Sequence, residues 1–528
     1  MARFSTLLRT LVATPALAIL AACSSVGPHF PSVQEASPLE SSQREQNLAA
    51  AEALYKQILH RPRPETITEY NRAVSQLLRD QFGRPGRIRH LPANWGSWIN
   101  DGDETVDPAT YDQLFPASTV RSATRIDEPK TIEGIGVACV GWSHTDTPSD
   151  PATNFLPPTG ISHAVTAVLT FENGDPQWRL YERYDQESVT IGGRELPLAG
   201  DFSAALAVFE DRCELSDFGI LELLLPEEYY KDTGIFAADD YDPDKIPIVF
   251  IHGVNSNPFS FIQLIDRLVR YPEVRKNFQF YFFYYPTGEG WIFSASNFRD
   301  SVQQLRPRFD PDGTNPNFDQ MVVVAHSMGG LITRASVSTN PEVIYNSWFS
   351  CPIDELRGSS RNRELMRKTF AYQPLTGIER VIFMATPHRG SKLANIGILT
   401  LISKLMKLPA ELSTGILDVV TENGINLLEG NVENFRVPTS IDELSPDNRT
   451  IKAVSNLRFP DEMHVHSVIG SRLGKLKTDG IVPYWSSHID EAESERVIES
   501  NHSVPKQKMA AEETLRILRE HLTETGRD

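Results

Sequence analysis

The stretch MVVVAHSMGGLITR, residues 321–334, constrains the fold of this chain more than any other. A β-branched apolar run gives way at Ala325 to a turn with Ser327 at its apex, and helical character begins at Leu331. Ala325 and Gly329 stand two positions before and after the serine, where the strand and helix backbones must approach closely. The stretch predicts a strand, a sharp turn and a helix, with the Ser327 hydroxyl exposed at the edge of a sheet. An ordinary buried strand followed by a glycine-rich turn would also fit these letters alone.

Strand and helix signals alternate through the second half of the chain. Apolar runs typical of strands, separated by helix-capable stretches, cover residues 246–251, 278–285, 321–325, 381–385, 465–469 and 496–498. This alternation predicts an α/β domain over 246–528 with a mostly parallel sheet and helices on both faces. Ligands of such sheets bind at the carboxyl ends of the strands.

The first half of the chain carries a different pattern and no recognisable chemistry. Apolar stripes on either side of an Arg-Pro-Arg-Pro break predict a helical hairpin, to which we assign residues 43–120. Short strand signals with glycine turns predict a β-rich accessory module over 121–238. The acidic stretch 239–245 is interpreted as a solvated connector, because its carboxylates do not match the spacing of a known calcium loop.

The sequence pattern at the N-terminus predicts localisation to the cell envelope. Arg3 and Arg9 precede an apolar run, residues 11–20, that is too short to span a bilayer and ends in the letters LAAC at Cys23. This pattern resembles the signal peptide and lipobox of bacterial lipoproteins, which implies removal of residues 1–22, lipidation of Cys23 and a tether over 23–42. The resemblance also implies a membrane partner through the lipid anchor, and Ser24 is compatible with the outer-membrane sorting of similar enterobacterial lipoproteins. The alternative is a plain secretory signal in which Cys23 is incidental.

The formal net charge of −18 makes the chain a poor candidate for binding nucleic acid. Besides Cys23 it has Cys139, Cys213 and Cys351, an odd number for an oxidising compartment. A disulfide between Cys139 and Cys213, or three buried thiols, would both be consistent with the spacing. The cysteines and histidines form no metal-ligand pattern.

The turn after the strand at 246–251 predicts an anion-binding pocket beside Ser327. It reads His252-Gly253-Val254, and the glycine lets the Val254 amide point into the cleft. Together with the amide of Met328 it would form an oxyanion hole, which stabilises charge that appears only in the transition state.

A serine nucleophile needs a base and an acid that orients the base. His502 lies in a loop after the last strand and before the closing helix, from where it can reach back to Ser327. Asp479 lies just beyond the preceding strand, and the order Ser, Asp, His is the one this architecture uses. Asp490 and Glu493 are rival candidates for the acid.

A family resemblance follows from four ordered motifs. They are HG at 252–253, AHSMGG at 325–330, ATPHRGS at 385–391 and DGIVP at 479–483, followed by His502. Together they resemble the α/β-hydrolase superfamily, and within it the bacterial lipases and inositol-deacylase-like esterases. The resemblance implies hydrolysis of carboxylic esters of small molecules or lipids, with no cofactor and no metal. It implies Ser327 as nucleophile, His502 as base, Asp479 as its orienting acid, and Val254 and Met328 as oxyanion donors.

Two other functions stay open at this stage. An acyltransferase would use the same triad with an alcohol or amine in place of water, and a binding protein of the envelope would use the fold without catalysis. The leucine-rich segment at about 391–430 is expected to form a cap over the cleft. Four aromatic residues of the α/β domain would either recognise an acyl chain or belong to the core, and they are Phe259, Phe261, Trp291 and Phe293.

Overall fold

The computed structural model describes residues 39–82, 96–120, 126, 129–144, 155–157, 159–213, 233–288, 290–391, 410–423, 446–472 and 477–527. The predicted signal peptide, Cys23 and most of the tether lie outside the described residues. Within the described ranges, no helix has the length and apolar character needed to cross a membrane.

The chain begins with the predicted helical hairpin, α1 (Ser41–His60) and α2 (Pro64–Phe82). Proline is favourable at the start of α2, because the N–H group that it lacks would have no acceptor within the first turn of the helix. The hairpin packs on a sheet, and the Tyr70 hydroxyl accepts a 2.9 Å hydrogen bond from the Leu169 backbone N–H. Buried Tyr55 and Val74 join the same apolar cluster.

A five-stranded sheet follows, ordered β1-β5-β4-β3-β2 and antiparallel apart from the β1–β5 pair. Its strands are β1 (Ser97–Trp98), β2 (Gln113–Pro116), β3 (Val137–Ser143), β4 (Ile161–Glu172) and β5 (Asp175–Glu182), and a separate hairpin pairs β6 (Ser188–Ile191) with β7 (Arg194–Pro197). The interval 43–120 was expected to be helical, yet it supplies β1 and β2. These strands of two and four residues are too short to show an alternating pattern in the sequence.

Helix α3 (Phe202–Arg212) joins the two halves of the molecule. The Asp201 side chain caps its first turn by accepting a 2.9 Å hydrogen bond from the Ala204 N–H. Apolar side chains of α3 belong to a hydrophobic cluster that also contains Trp142 of β3 and Phe250 of the main sheet. The accessory region therefore shares its core with the α/β domain.

The main sheet has seven strands in the order β14-β13-β12-β11-β9-β10-β8. Neighbouring strands are parallel, except that β8 runs antiparallel to β10. The strands are β8 (Gly234–Ala237), β9 (Ile246–Ile251), β10 (Phe278–Tyr284), β11 (Met321–His326), β12 (Ile378–Met384), β13 (His464–Ser471) and β14 (Ser494–Glu499). All six strands expected from the apolar runs are present. The seventh, β8, comes from the interval 121–238 that was assigned to the accessory module.

Helices cover both faces of this sheet. They are α4 (Ile262–Leu268), α5 (Pro272–Asn277), α6 (Trp291–Phe309), α7 (Met328–Val337), α8 (Glu342–Asn346), α9 (Ser360–Phe370), α10 (Ala410–Asn423), α11 (Arg449–Val454), α12 (Tyr484–Ser487) and α13 (Lys508–Glu524). Val323 and Ala325 of β11 face the cluster that contains α6 and α7. Val322 and Val324 face the opposite cluster, with α3 and α13. Burial on both faces explains why β11 is a continuous apolar run.

The shared core predicts that both halves unfold together. Phe202 is 2% exposed, and its ring lies 4.4 Å from the Arg275 guanidinium. We expect Phe202→Ala to lower the free energy of unfolding by about 3–5 kcal/mol, because it leaves a cavity between the two halves. Chemical denaturation followed by tryptophan fluorescence measures this loss. Met509→Ala, at a position 38% exposed, is the control and should change stability by less than about 1 kcal/mol. Two separate transitions, with only one shifted by Phe202→Ala, would contradict the prediction.

Candidate active site

The turn at Ser327 holds the backbone in a conformation that few residues adopt. Ser327 lies between the end of β11 and the start of α7 with φ 54° and ψ −120°. A non-glycine residue with positive φ is strained and persists only where its surroundings hold it. Here the Ser327 N–H donates a 2.9 Å hydrogen bond to the Met384 carbonyl at the end of β12. The neighbouring strand therefore fixes the turn that presents the serine.

Gly329 allows the helix to begin directly over the end of β9. A Cβ at this position would lie 2.3 Å from the Ile251 carbonyl oxygen and 2.6 Å from that of His252. Those atoms belong to backbone, so they cannot turn aside as a side chain would. Gly330 is equally confined, since its Cβ would lie 2.0 Å from the Thr386 hydroxyl oxygen. The strand, turn and helix expected from the sequence are thus present; close backbone approach is the reason for Gly329, and contact with the Thr386 side chain is the reason for Gly330.

Ser327, His502 and Asp479 lie in a hydrogen-bonded row. The His502 Nε2 atom is 2.8 Å from the Ser327 Oγ, and the His502 Nδ1 atom is 2.6 Å from the Asp479 Oδ2. Because a carboxylate only accepts hydrogen bonds, Nδ1 carries the proton and Nε2 is left with a lone pair toward the serine hydroxyl. This geometry lets the serine hydroxyl donate its proton to the imidazole.

The Asp479 carboxylate is held in place by hydrogen bonds other than the one to His502. It is 1% exposed, and its Oδ1 accepts 2.7 Å hydrogen bonds from the N–H groups of both Ile481 and Val482. Gly470, near the end of β13, leaves room for this loop and the next, because its Cβ would lie 3.0 Å from the Asp479 Cβ and 3.2 Å from the Asn501 carbonyl. Adjacent parallel strands β13 and β14 thus deliver the acid and the histidine to one edge of the sheet.

The rival acids are paired with other histidines. The His464 Nδ1 atom lies 2.8 Å from a Glu493 carboxylate oxygen. The His488 Nε2 atom lies 3.1 Å from the Asp490 Oδ1. Asp479 is therefore the candidate carboxylate that contacts His502.

The predicted oxyanion turn abuts the serine. A Cβ at Gly253 would lie 2.9 Å from the Ser327 Cβ, so glycine is what permits this contact. Val254 follows directly, and the next residue, Asn255, has φ 51° and donates its N–H to the Thr287 hydroxyl at 3.3 Å. Met328 is the first residue of α7, where N–H groups have no acceptor within the helix and the helix dipole favours negative charge. Both candidate donors thus belong to segments that meet at Ser327.

Tyr285 supports this turn, and the sequence did not single it out. Its hydroxyl donates a 2.7 Å hydrogen bond to the His252 carbonyl, and the two rings stack with centroids 4.4 Å apart. Tyr285 ends an aromatic run, FQFYFFYY, whose members look alike as core residues. The tertiary contact alone distinguishes it.

Burial disfavours the charged form of two other histidines, His252 and His388. Burial lowers the pKa of His252 to about 4. Burial, and then the nearby charge of Arg334, hold the pKa of His388 well below its usual range. Both residues are fully buried.

The described part of the predicted cap is helix α10, which packs on α9. The Asn362 Nδ2 donates to the Asp418 Oδ2 at 3.0 Å, and Val419 is fully buried. Residues 392–409 and 424–430 of this region lie outside the described residues, so the cap stays a prediction. Of the four aromatics considered for acyl recognition, Phe259, Phe261 and Trp291 are buried in the cores, while Phe293 packs partly buried against them.

The cysteines and the acidic connector at 239–245 do not belong to the triad. Cys139, Cys213 and Cys351 are all free thiols; the first two are buried, as expected for the option without a disulfide, whereas Cys351 is only partly buried. In the described part of the chain, His163, Asp239 and Asp240 place possible metal-ligand atoms within 4.8 Å of one another. Burial raises the pKa of Asp239, so this end of the connector is not fully solvated.

No protein-family model matches the chain, and no curated protein is detectably similar in sequence. The structure is similar to the Bacillus licheniformis lipase BlEst2 in mature form, with 14% identity, coverage of 54% of this chain and 97% of that chain, and a TM-score of 0.33. It is also similar to a metagenomic carboxyl esterase, with 13% identity, coverage of 54% and 77%, and a TM-score of 0.31. For the propionate-bound esterase Est2 of Thermogutta terrifontis these values are 13%, 56% and 89%, and 0.29. At such low scores these similarities assign no activity to the chain.

The close approach at Gly329 yields a stability prediction. We expect Gly329→Ala to lower the free energy of unfolding by about 1–3 kcal/mol, because the added methyl group overlaps two backbone carbonyls. Gly234→Ala is the matched control, since a Cβ there meets no atom within 4 Å. Thermal and chemical denaturation of both variants measure the difference. Equal stability of the two variants would contradict the prediction.

Proposed function

We propose that this chain is a serine hydrolase of the α/β-hydrolase type that cleaves carboxylic esters through an acyl-enzyme. The observation that carries the proposal is the continuous row from the Ser327 hydroxyl through His502 to the buried Asp479 carboxylate, with distances of 2.8 and 2.6 Å. The row lies at the carboxyl ends of parallel strands, where α/β sheets bind ligands. A serine, a base and an oriented acid in this order are the requirements for nucleophilic acyl transfer.

In the first half of the reaction Ser327 Oγ attacks the ester carbonyl carbon while His502 Nε2 accepts the hydroxyl proton. The tetrahedral intermediate carries its negative charge on the former carbonyl oxygen. His502 then donates the proton to the departing alkoxide oxygen, the carbon–oxygen bond of the ester breaks, and an acyl group stays on Ser327. Asp479 holds the imidazole in the required tautomer and stabilises the imidazolium that forms in between.

In the second half a water molecule replaces the alcohol. His502 accepts a proton from the water as its oxygen attacks the acyl carbon, and it returns that proton to Ser327 Oγ as the acid leaves. The net reaction consumes one water and yields an alcohol and a carboxylic acid. Side chains and backbone suffice for this chemistry, so the proposal needs no cofactor and no metal.

The oxyanion is assigned to the N–H groups of Val254 and Met328. Loss of one such donor typically lowers the rate by about two to three powers of ten. The support for this assignment is the contact of Gly253 with Ser327 and the position of Met328 at the start of α7. The strained turn contributes by holding these groups in place before the substrate arrives, so that they need no rearrangement during the reaction.

We further propose that the enzyme acts at the bacterial cell envelope and does not bind nucleic acid, since its net charge of −18 disfavours contact with phosphate backbones. The support is the basic and apolar leader that ends in LAAC at Cys23. Lipidation of Cys23 would anchor the chain to the outer membrane, with residues 23–42 as a tether. Lipid or small-molecule esters at that membrane are then the substrates within reach.

A serine-directed probe tests the nucleophile. Wild-type protein should react with a fluorophosphonate and hydrolyse p-nitrophenyl butyrate, whereas Ser327→Ala should do neither, with activity at least about a thousandfold lower. Ser301→Ala, on the half-buried side of α6, is the control and should react like wild type. Equal labelling of wild type and Ser327→Ala would overturn the assignment. Labelling of Ser327 without release of acid, but with acyl transfer to an added alcohol, would identify an acyltransferase instead.

A separate experiment tests the anchor. In a Gram-negative host, the full chain should incorporate labelled palmitate and sediment with membranes, while Cys23→Ala should lose the label and leave the membrane fraction. Lipid attachment supplies the anchoring energy, because each buried methylene contributes about 0.8 kcal/mol. Cys351→Ala is the control for cysteine loss. Unchanged labelling of Cys23→Ala would contradict the lipoprotein assignment.

A further inference from the structure

One buried side chain bridges the nucleophile turn and the loop that carries the base. His326, the last residue of β11, is 8% exposed. Its Nε2 atom lies 2.8 Å from the backbone carbonyl oxygen of His502, and the two imidazole rings have centroids 4.9 Å apart. On its other side, a Cβ at Gly253 would lie 3.1 Å from the His326 Nδ1. The ring thus fills the space between the oxyanion turn and the His502 loop.

The hydrogen bond to the His502 carbonyl determines which nitrogen of His326 carries a proton. A carbonyl oxygen only accepts, so the Nε2 atom must carry a proton and donate it. Burial, and then the charge that His502 acquires, lower the pKa of His326 to about 3. The ring is therefore a neutral donor, which holds the His502 backbone without placing a second positive charge beside the imidazolium.

We propose that His326 is a positioning residue that sets the place of His502 relative to Ser327. Asp479 fixes the ring of His502 through Nδ1, and His326 fixes its backbone through the carbonyl. The two anchors act on opposite ends of the same residue. Because His326 directly precedes Ser327, the nucleophile and the support of its base move as one unit with β11.

This inference rests on the proposed function, in which His502 accepts the Ser327 proton. A misplacement of about 1 Å at a reacting group typically costs on the order of a hundredfold in rate. Loss of the Nε2 donor would free the His502 backbone to shift, but it would leave the substrate cleft, Ser327 and Asp479 in place. The effect should therefore appear in kcat and leave KM nearly unchanged.

Two substitutions separate the hydrogen bond from the shape of the ring. His326→Phe keeps a planar ring and removes the donor, whereas His326→Gln keeps an N–H donor near the position of Nε2. For p-nitrophenyl butyrate we expect His326→Phe to lower kcat by about 10- to 100-fold with KM within about twofold, and His326→Gln to recover most of the loss. His488→Phe, at a partly exposed histidine bonded to Glu495, is the control and should keep wild-type kcat.

A spectroscopic measurement tests whether His326 positions His502, and it does not depend on turnover. The proton in the 2.6 Å hydrogen bond between His502 Nδ1 and Asp479 should give a far-downfield proton NMR resonance, which His326→Phe should shift or broaden and His326→Gln should preserve. If wild-type protein neither hydrolyses esters nor reacts with a fluorophosphonate, the proposed function fails, and this resonance still tests the positioning role. Wild-type kcat and an unchanged resonance in His326→Phe would overturn the inference. Equal losses in His326→Gln and His326→Phe would overturn it too, because the donor would then not be what matters.

Discussion

The candidate site depends on the close approach of two backbones, at the end of β9 and the start of α7. Gly329 allows this approach, since a Cβ there would lie 2.3 Å from the Ile251 carbonyl oxygen. The same contact brings the turn after β9, with Gly253 and Val254, against the serine. The strained φ of 54° at Ser327 is the cost of turning the chain in so little space. A larger residue at Gly329 would separate the anion-binding turn from the nucleophile.

Parallel pairing places the remaining parts of the site at the same edge. Because β11, β12, β13 and β14 run in one direction, the loops after them emerge side by side. Ser327, Asp479 and His502 are far apart in sequence and meet because each follows a strand end. Around them, Tyr285 and His326 hold backbone carbonyl groups in place through hydrogen bonds. The site is therefore made rigid by the sheet and by hydrogen bonds to carbonyl groups.

The N-terminal half is structurally part of the same body. Its five-stranded sheet has the helical hairpin on one face and α3 on the other, and α3 continues into the core beneath β9 and β10. Antiparallel β8 adds a further link, because it extends the main sheet at its edge. Damage to this region should consequently be felt as lost stability of the whole chain.

The sequence alone determined the long buried strands, the strand–turn–helix at Ser327 and the order of Ser327, Asp479 and His502. A strand buried on both faces is a continuous apolar run, and a tight turn requires small residues. Both features can therefore be recognised in the sequence without knowledge of tertiary contacts. The short strands β1, β2 and β8 were not, because a few residues at a sheet edge carry no periodic signal. Only the tertiary structure decided which carboxylate meets His502, and that Tyr285 and His326 hold backbone carbonyls on either side of Ser327. Such contacts join residues that are distant along the chain, and no local pattern records them.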